Sequence, residues 1–308
     1  MIVHAEQDFA AVLFQIVEPA GDAGSPARLS LDPASAPVEL LNVCETSSKR
    51  HAIWFERRAG SPVIKVGGFV RAGSAGYAHG VTLANPPLYA AATLAEALAA
   101  EGIEVAGRAR LTAAQDRQAD APPGQTLCTR RVPLATVLRP MMRRSHNHYA
   151  EQIVKTLGAE ARGEGSWEAG LGTAAQMLVA IGFSKEEFHL DDGSGLSRAN
   201  RLSPALLTSL LMHVGRSEFG PTFRSLLAVP GQEGTLRRRL TESPYRESVC
   251  AKTGYLDGVG ALSGYATTRG GMEVAFSILV NDSHNPVGTY SMRQTVDAIC
   301  RAIVDHAG

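Results

Sequence analysis

The apolar pattern of this chain changes character once, and that change limits its fold more than any single motif does. Residues 11–17, 38–43, 51–56 and 63–70 are short alternating or β-branched runs divided by Gly, Pro and Ser clusters, which predicts strands. From residue 134 onward apolar residues recur at helical spacing, predicting helices at about 134–142, 147–162, 167–181 and 203–215. Strands at 248–253, 260–267 and 273–280 and a helix at about 289–306 close the chain. Asp257-Gly258, between the first two of these strands, reads as a type I′ hairpin turn. The two textures are joined by a helix at 87–100, with prolines at its start and Gly102 at its end, and by a strand at 104–111. The polar segment 114–124, with Pro122-Pro123, reads as a linker. A β-rich region over 1–124 and an α+β domain over 125–308 are therefore expected.

Charge and cysteine usage exclude several classes of function. Thirty basic residues balance thirty acidic ones, so no long-range field draws the chain to nucleic acid or to an anionic membrane. The short basic runs Arg130-Arg131, Arg143-Arg144 and Arg237-Arg238-Arg239 read as solvated faces. Cys44, Cys128, Cys250 and Cys300 form no Cys-x-x-Cys pair of the kind used by zinc or redox sites. There is no run of about 18 apolar residues for a transmembrane span. The apolar residues 9–17 lack a basic leader and a small-residue cleavage site, so they read as a strand and not as a signal peptide.

Two short motifs carry the chemistry. Ser145-His146-Asn147 falls at a predicted helix start, where Ser145 has an ordinary role as N-cap, although His148 stands where a capping box would place Glu or Gln. Beside a cleft, the same serine could pass a proton while Asn147, with both a donor and an acceptor, holds a substrate amide. Lys252-Thr253-Gly254 lies on a predicted strand. Lys252 could be an ordinary surface lysine, or a cation and a hydroxyl side by side could bind a carboxylate through charge-assisted hydrogen bonds. His146, His148 and Glu151 raise the thought of a metal hydrolase, but i and i+2 side chains diverge at a helix start. Asp191 and Asp192 precede Gly193-Ser194-Gly195, so a turn is the favoured reading over acid–base work.

The chain resembles the penicillin-binding D-alanyl-D-alanine carboxypeptidases and endopeptidases of the low-molecular-mass class that carries a domain inserted between its first and second motifs. The resemblance rests on residues 145–151, 192–198, Ser203-Pro204, 230–236, 251–254, Gly264-Tyr265 and 276–281, which occur in the family's order. More loosely, residues 42–46 and 102–107 are similar to parts of the inserted region. It implies a β-lactamase/transpeptidase-like domain, an antiparallel sheet flanked by helices, with a β-rich insert at the N-terminus. It also implies peptidoglycan stem peptides and β-lactams as ligands, a periplasmic or cell-envelope location, and no metal or organic cofactor. Ser145 would assist proton transfer to the leaving amine, Asn147 would hold the peptide, and Lys252 with Thr253 and Gly254 would bind the terminal carboxylate. Tyr255 would help to form the oxyanion hole from the strand backbone.

One motif of that family is missing. Its nucleophile lies in Ser-x-x-Lys, and the residues three places before Lys49, Lys65, Lys155, Lys185 and Lys252 are Thr46, Pro62, Gln152, Gly182 and Val249. The sequence is accordingly expected to be a truncated or inactive form with an incomplete fold, cytoplasmic if translated as written. The alternative is a non-catalytic descendant that binds peptidoglycan or a protein partner.

Overall fold

The computed structural model of the chain describes residues 11–19, 21–32, 38–110, 129, 131–281 and 289–307. It divides into two units, Met1–Cys128 and Thr129–Gly308. The chain is of the α+β class.

Among its described residues the first unit has two three-stranded sheets and one helix. Strand β1 (Ala11–Pro19) pairs antiparallel with β2 (Ala27–Asp32) on one side and β6 (Tyr77–Thr82) on the other. Strand β5 (Val63–Arg71) lies between β3 (Glu39–Ser47), to which it is parallel, and β4 (Ala52–Glu56), to which it is antiparallel. Strand alternation puts Ile64, Val66 and Val70 on one face of β5, where they bury with Cys44 and Ala27 against Leu29, Leu31, Ile53 and Phe55. The helix α1 (Pro86–Ala100) starts where the sequence places it, with the Asn85 side chain accepting the Leu88 N–H at 3.0 Å.

Two expectations in this region need correction. Residues 103–110 form no strand, and Ile103 and Val105 are about half exposed, at 52% and 44%. Their alternation has the right period, but a strand also needs a partner to complete its hydrogen bonds, which periodicity cannot supply. Residue 111 and the linker at 114–124 lie outside the described residues. Strands β2 and β6 were not anticipated: both are six residues long, and although β2 alternates apolar Ala27, Leu29 and Leu31 with polar residues, β6 shows no alternation.

The second unit is a three-stranded antiparallel sheet between layers of helix. Strands β7 (Val249–Leu256), β8 (Val259–Thr267) and β9 (Glu273–Asn281) lie in that order, so β7 is an edge. The register aligns Thr253, Leu262 and Ile278, and likewise Ala251, Gly264 and Phe276. That face buries against Val296, Cys300 and Val304 of α8 (Thr289–Asp305). The opposite face carries Cys250, Tyr265 and Ala275, which pack on Met142 of α2 (Leu134–Arg144), Leu211 of α5 (Pro204–Arg216) and Phe223 of α6 (Gly220–Leu226). Helices α3 (Asn147–Arg162) and α4 (Trp167–Ala180) pack as a pair beside α2. The one-turn α7 (Tyr245–Ser248) and the seven-residue α6 are too short to show helical periodicity in sequence.

The β7–β8 hairpin forms with Leu256 directly opposite Val259. Of its two loop residues only Gly258 has positive φ, +73°, whereas a type I′ turn needs it at both, so the turn is not the expected type.

Candidate active site

Ser145 stands at the junction of two helices. It was expected to cap α3, but it is the C-cap of α2, with φ 59° and ψ 49°, and His146 occupies the α3 N-cap without a side-chain capping bond. A left-handed backbone at a residue with a β-carbon costs roughly 1–2 kcal/mol and persists only where its surroundings impose it. Here the last turn of α2 is held from outside. The Arg143 carbonyl accepts the Thr235 N–H at 3.0 Å. The Arg143 guanidinium donates to the Ser225 carbonyl at 2.8 Å and to Glu233 at 3.2 Å, and Arg144 reaches the other Glu233 oxygen at 3.2 Å. Hydrogen bonds from Arg144 and Arg143 hold the Glu233 carboxyl below its ordinary range, so it stays ionised between them. Only glycine fits at 234, where φ is +103° and a Cβ would lie 2.4 Å from the Arg143 oxygen.

Lys252 reaches Ser145 from the sheet. Its ammonium donates to the Ser145 hydroxyl oxygen at 2.6 Å and to the Thr253 carbonyl at 2.7 Å, joining residues 107 apart in the chain. Lys252 shares a strand face with Cys250, whereas Thr253 is 9% exposed on the face that buries Val249 and Ala251. The two side chains are therefore not side by side. The Thr253 atom that Lys252 contacts is the carbonyl oxygen.

The backbone of β7 offers an edge. Ala251 exchanges both of its bonds with Ala228, at 3.1 and 2.9 Å, on the side away from β8. Alternation then directs the N–H and C=O groups of Thr253 and Tyr255 to that same side. Gly254 and Tyr255 are exposed, and Arg293 lies over the Tyr255 ring at 4.9 Å. Asn147 opens α3, half-buried, two residues beyond Ser145.

Sequence reasoning weighed Glu151 only as a metal ligand, and the structure gives it a different role. One turn after Asn147, its carboxylate accepts the Trp167 indole N–H at 2.9 Å and the N–H groups of Gly193 and Ser194 at 3.1 and 3.0 Å. With both oxygens engaged, Glu151 is not available as the third ligand of a site with His146 and His148, and the His146 ring packs edge-on against Tyr149. Gly193 is the sequence trace of this contact, because a Cβ there would lie 2.6 Å from Val154.

Asp192 ties the same loop together. It accepts from the N–H groups of Gly195 and Ser197 at 2.7 and 2.8 Å, from the Ser194 hydroxyl at 3.0 Å and from Asn200 at 2.7 Å. Partial burial pushes its carboxyl up, but the bonds from Asn200, Ser197, Gly195 and Ser194 together hold it below the ordinary range. Asp192 is an ionised loop staple, and Ser197 bonds Asp191 beside it. Arg198 extends the loop to the hairpin, donating to the Asp257 carbonyl at 2.7 Å.

Comparison with known proteins gives the family and the fold. Residues 10–302 match the D-Ala-D-Ala carboxypeptidase 3 (S13) family. A D-alanyl-D-alanine carboxypeptidase of Actinomadura sp. is 32% identical over 315 residues, which cover 100% of this chain and 57% of that protein. The D-alanyl-D-alanine carboxypeptidase DacB of Haemophilus influenzae is 30% identical over 201 residues, covering 64% of this chain and 41% of that protein. The crystal structure of H. influenzae penicillin binding protein 4 in complex with a β-lactam superposes with a TM-score of 0.72 at 23% identity, covering 96% of this chain and 69% of that one. This chain thus spans about half the length of the curated relatives it matches. It belongs to the S13 family of D-Ala-D-Ala carboxypeptidases, and its fold is that of the penicillin-binding proteins.

Proposed function

We propose that this chain carries the substrate-holding part of a serine acyl-transfer site for peptides ending in D-Ala-D-Ala, the chemistry of its family in peptidoglycan metabolism. The observation that carries the reading is the 2.6 Å contact between the Lys252 ammonium and the Ser145 hydroxyl at the edge of β7. An extended peptide lies along Thr253–Tyr255 as an added strand, with its terminal carboxylate drawn to Lys252. Asn147 holds a peptide amide, and the Tyr255 N–H turns toward the oxygen that becomes negative in the tetrahedral state. In the full reaction a serine hydroxyl adds to the carbonyl of the penultimate residue and the C–N bond breaks. The terminal D-Ala amine leaves with a proton relayed through Ser145, and water then hydrolyses the ester. β-Lactams occupy the same groups, with their carboxylate at Lys252. Residues 1–124 correspond in this reading to the family's inserted domain, and the place of action is the cell envelope, where such peptides are found.

No lysine of this sequence follows a serine by three residues, so the acylated serine of that mechanism is not among those in this chain. We therefore expect the chain alone to bind such peptides with little turnover. The same observation favours a second reading, a binding module that never turns over.

Titrating the full chain with a tripeptide ending in D-Ala-D-Ala, by calorimetry, tests the shared premise. Binding should weaken about tenfold or more in Lys252→Ala, the loss of a charge-assisted contact worth about 1.4 kcal/mol or more. No binding to the parent chain would refute it. Intact mass after incubation with a penicillin tests the second half of the reading: a stoichiometric adduct would show that a serine here is activated.

A further inference from the structure

The outer face of the β3–β5–β4 sheet carries chemistry that the peptide site does not use. Alternation turns Ile64, Val66 and Val70 into the core of the first unit, so Lys65, Gly67 and Phe69 face the other way. The register sets Val43, Gly67 and Trp54 in one row across the three strands, with Leu41, Lys65 and Glu56 in the row on one side and Glu45, Phe69 and Ala52 in the row on the other. Leu41, Val43 and Trp54 are all exposed, the last at 44%.

Trp54 lies flat on this face. A Cβ at Gly67 would overlap its ring, 2.6 Å from Cε2 and Cη2, so the glycine seats the indole on the strand backbone and the opposite face of the ring is turned outward. Charges of both signs surround it. The Lys65 ammonium is 5.6 Å from the ring centroid, with Glu56 opposite Lys65 on β4. The Arg50 guanidinium is 3.8 Å from the Phe69 centroid, with Glu45 opposite Phe69 on β3. These cations and anions balance, so the face does not suit a polyanion. It is also small. Three strands at about 4.8 Å and the five residues of β4 at about 3.3 Å cover on the order of 200 Å², well short of the roughly 800 Å² per partner of a stable protein interface.

We infer that this face binds a sugar chain of the extended β-1,4-linked N-acetylhexosamine type. A pyranose ring presents C–H groups on its face and hydroxyls around its edge, which matches an indole floor inside a rim of charged donors and acceptors. A β-1,4 chain is a flat ribbon that exposes ring faces along its length, and its acetamido methyls suit the exposed Leu41 and Val43 beside the indole. A tryptophan that served only to cover Gly67 would need no such rim. The inference concerns the first unit alone and is independent of the D-Ala-D-Ala reading.

The test is calorimetry on the full chain with a peptide-free tetramer of β-1,4-linked N-acetylglucosamine, alongside the tripeptide ending in D-Ala-D-Ala. The parent should bind the tetramer with a Kd of about 1 mM or below, the scale of one stacked ring and a few polar contacts. Trp54→Ala should weaken that binding about tenfold or more. Lys65→Gln and Glu56→Gln should each weaken it about threefold. Affinity for the tripeptide should be the same in all three variants as in the parent. No binding of the tetramer up to about 10 mM overturns the inference. Tetramer binding unchanged in a folded Trp54→Ala also overturns it, by placing the sugar elsewhere. Circular dichroism reports folding, and if Trp54→Ala does not fold the two rim variants decide, unchanged affinity in both being the refuting result. Self-association of the parent by light scattering that Lys65→Gln and Glu56→Gln abolish would give the face to a second copy and overturn the inference too. Tripeptide binding, present or absent, decides only the D-Ala-D-Ala reading.

Discussion

Gly234→Ala should uncouple the Ser145 turn from the body of the second unit. Three consequences follow from the structure. Alanine at φ +103° costs about 1–2 kcal/mol of backbone strain. Its Cβ would lie 2.4 Å from the Arg143 oxygen, so the carbonyl must move. The 3.0 Å bond from the Thr235 N–H to that oxygen is then lost or lengthened, a further 0.5–1.5 kcal/mol or so. The expected total is about 2–3 kcal/mol, or roughly 5–10 °C in the Tm of a unit this size. Two units preclude a two-state fit to the whole chain. The two tryptophans make a local reading possible, since Trp54 lies in the first unit and Trp167 in the second. In a Trp54→Phe background, urea unfolding followed by fluorescence reports the second unit alone. Gly231→Ala is the control. It shares a positive φ, +73°, but its Cβ would meet only the flexible Arg246 side chain at 3.1 Å and more, so it should cost about 1 kcal/mol. If Gly234→Ala costs no more than Gly231→Ala, the latch does not hold the turn and the account of the Ser145 backbone is wrong.

Other residues give independent tests. Burial pushes the Cys300 thiol up to about 12, against an ordinary value of 9.0, so the native state keeps its proton where the unfolded chain loses it. Stability on account of this thiol is then complete below pH 9 and declines as pH rises from there toward 12, by about 1.4 kcal/mol per unit. Cys300→Ala should lower the parent's slope of unfolding free energy between pH 9 and 10, and an unchanged slope would refute the assignment. Glu151→Gln replaces a carboxylate that accepts three N–H donors with an amide that can accept from only part of the set. Hydrogen exchange at Gly193 and Ser194 should quicken about tenfold or more, with a stability loss of about 1–3 kcal/mol. Unchanged protection would show that the loop is held by something else. Arg239 grips Asp297 through three contacts of 2.7–3.3 Å, with side-chain exposures of 16% and 13%. Asp297→Ala should cost about 2–4 kcal/mol by stranding the guanidinium, whereas Glu242→Ala, at the exposed pair with Arg301, should cost less than about 1 kcal/mol by urea unfolding.

Sequence periodicity located the elements that bury a full face and failed where hydrogen bonding, not burial, decides the outcome. Helix α3 was legible from apolar spacing alone, and α4 and α5 because spacing and side-chain caps agree, with Ser166 accepting from Ala169 N–H and Ser203 from Leu206 N–H, both at 3.1 Å. Residues 104–110 have the alternation of a strand without the partner, β6 has a partner without the alternation, and β2 has both over only six residues. At the site, Ser145 and Lys252 were legible through the motifs around them, but their supports were not. Thr235 bonds to the Arg143 backbone, and Glu151 bonds to the backbone of Gly193 and Ser194. Backbone groups are the same in every residue, so such contacts leave only indirect traces, chiefly a glycine where a Cβ would collide. The side-by-side arrangement assumed for Lys252 and Thr253 failed for a simpler reason: consecutive strand residues face opposite ways.

The supports of the site also bear on how binding and turnover are related in this chain. Ser145 is held against Lys252 by the α2 terminus, the 225–235 segment and β7, all lying between residues 134 and 256. None of these contacts comes from a Ser-x-x-Lys segment, which the sequence lacks. The Lys252 ammonium, the Ser145 hydroxyl and the outward edge of β7 therefore stand ready for a peptide whether or not an ester can form. Loss of affinity in Lys252→Ala should then appear in a chain with no measurable acylation, and Gly234→Ala should lower the same affinity without touching either side chain, by displacing Ser145 from its 2.6 Å contact. If Gly234→Ala weakens the fold yet leaves peptide affinity at the parent value, the Lys252–Ser145 geometry is not what the peptide reads.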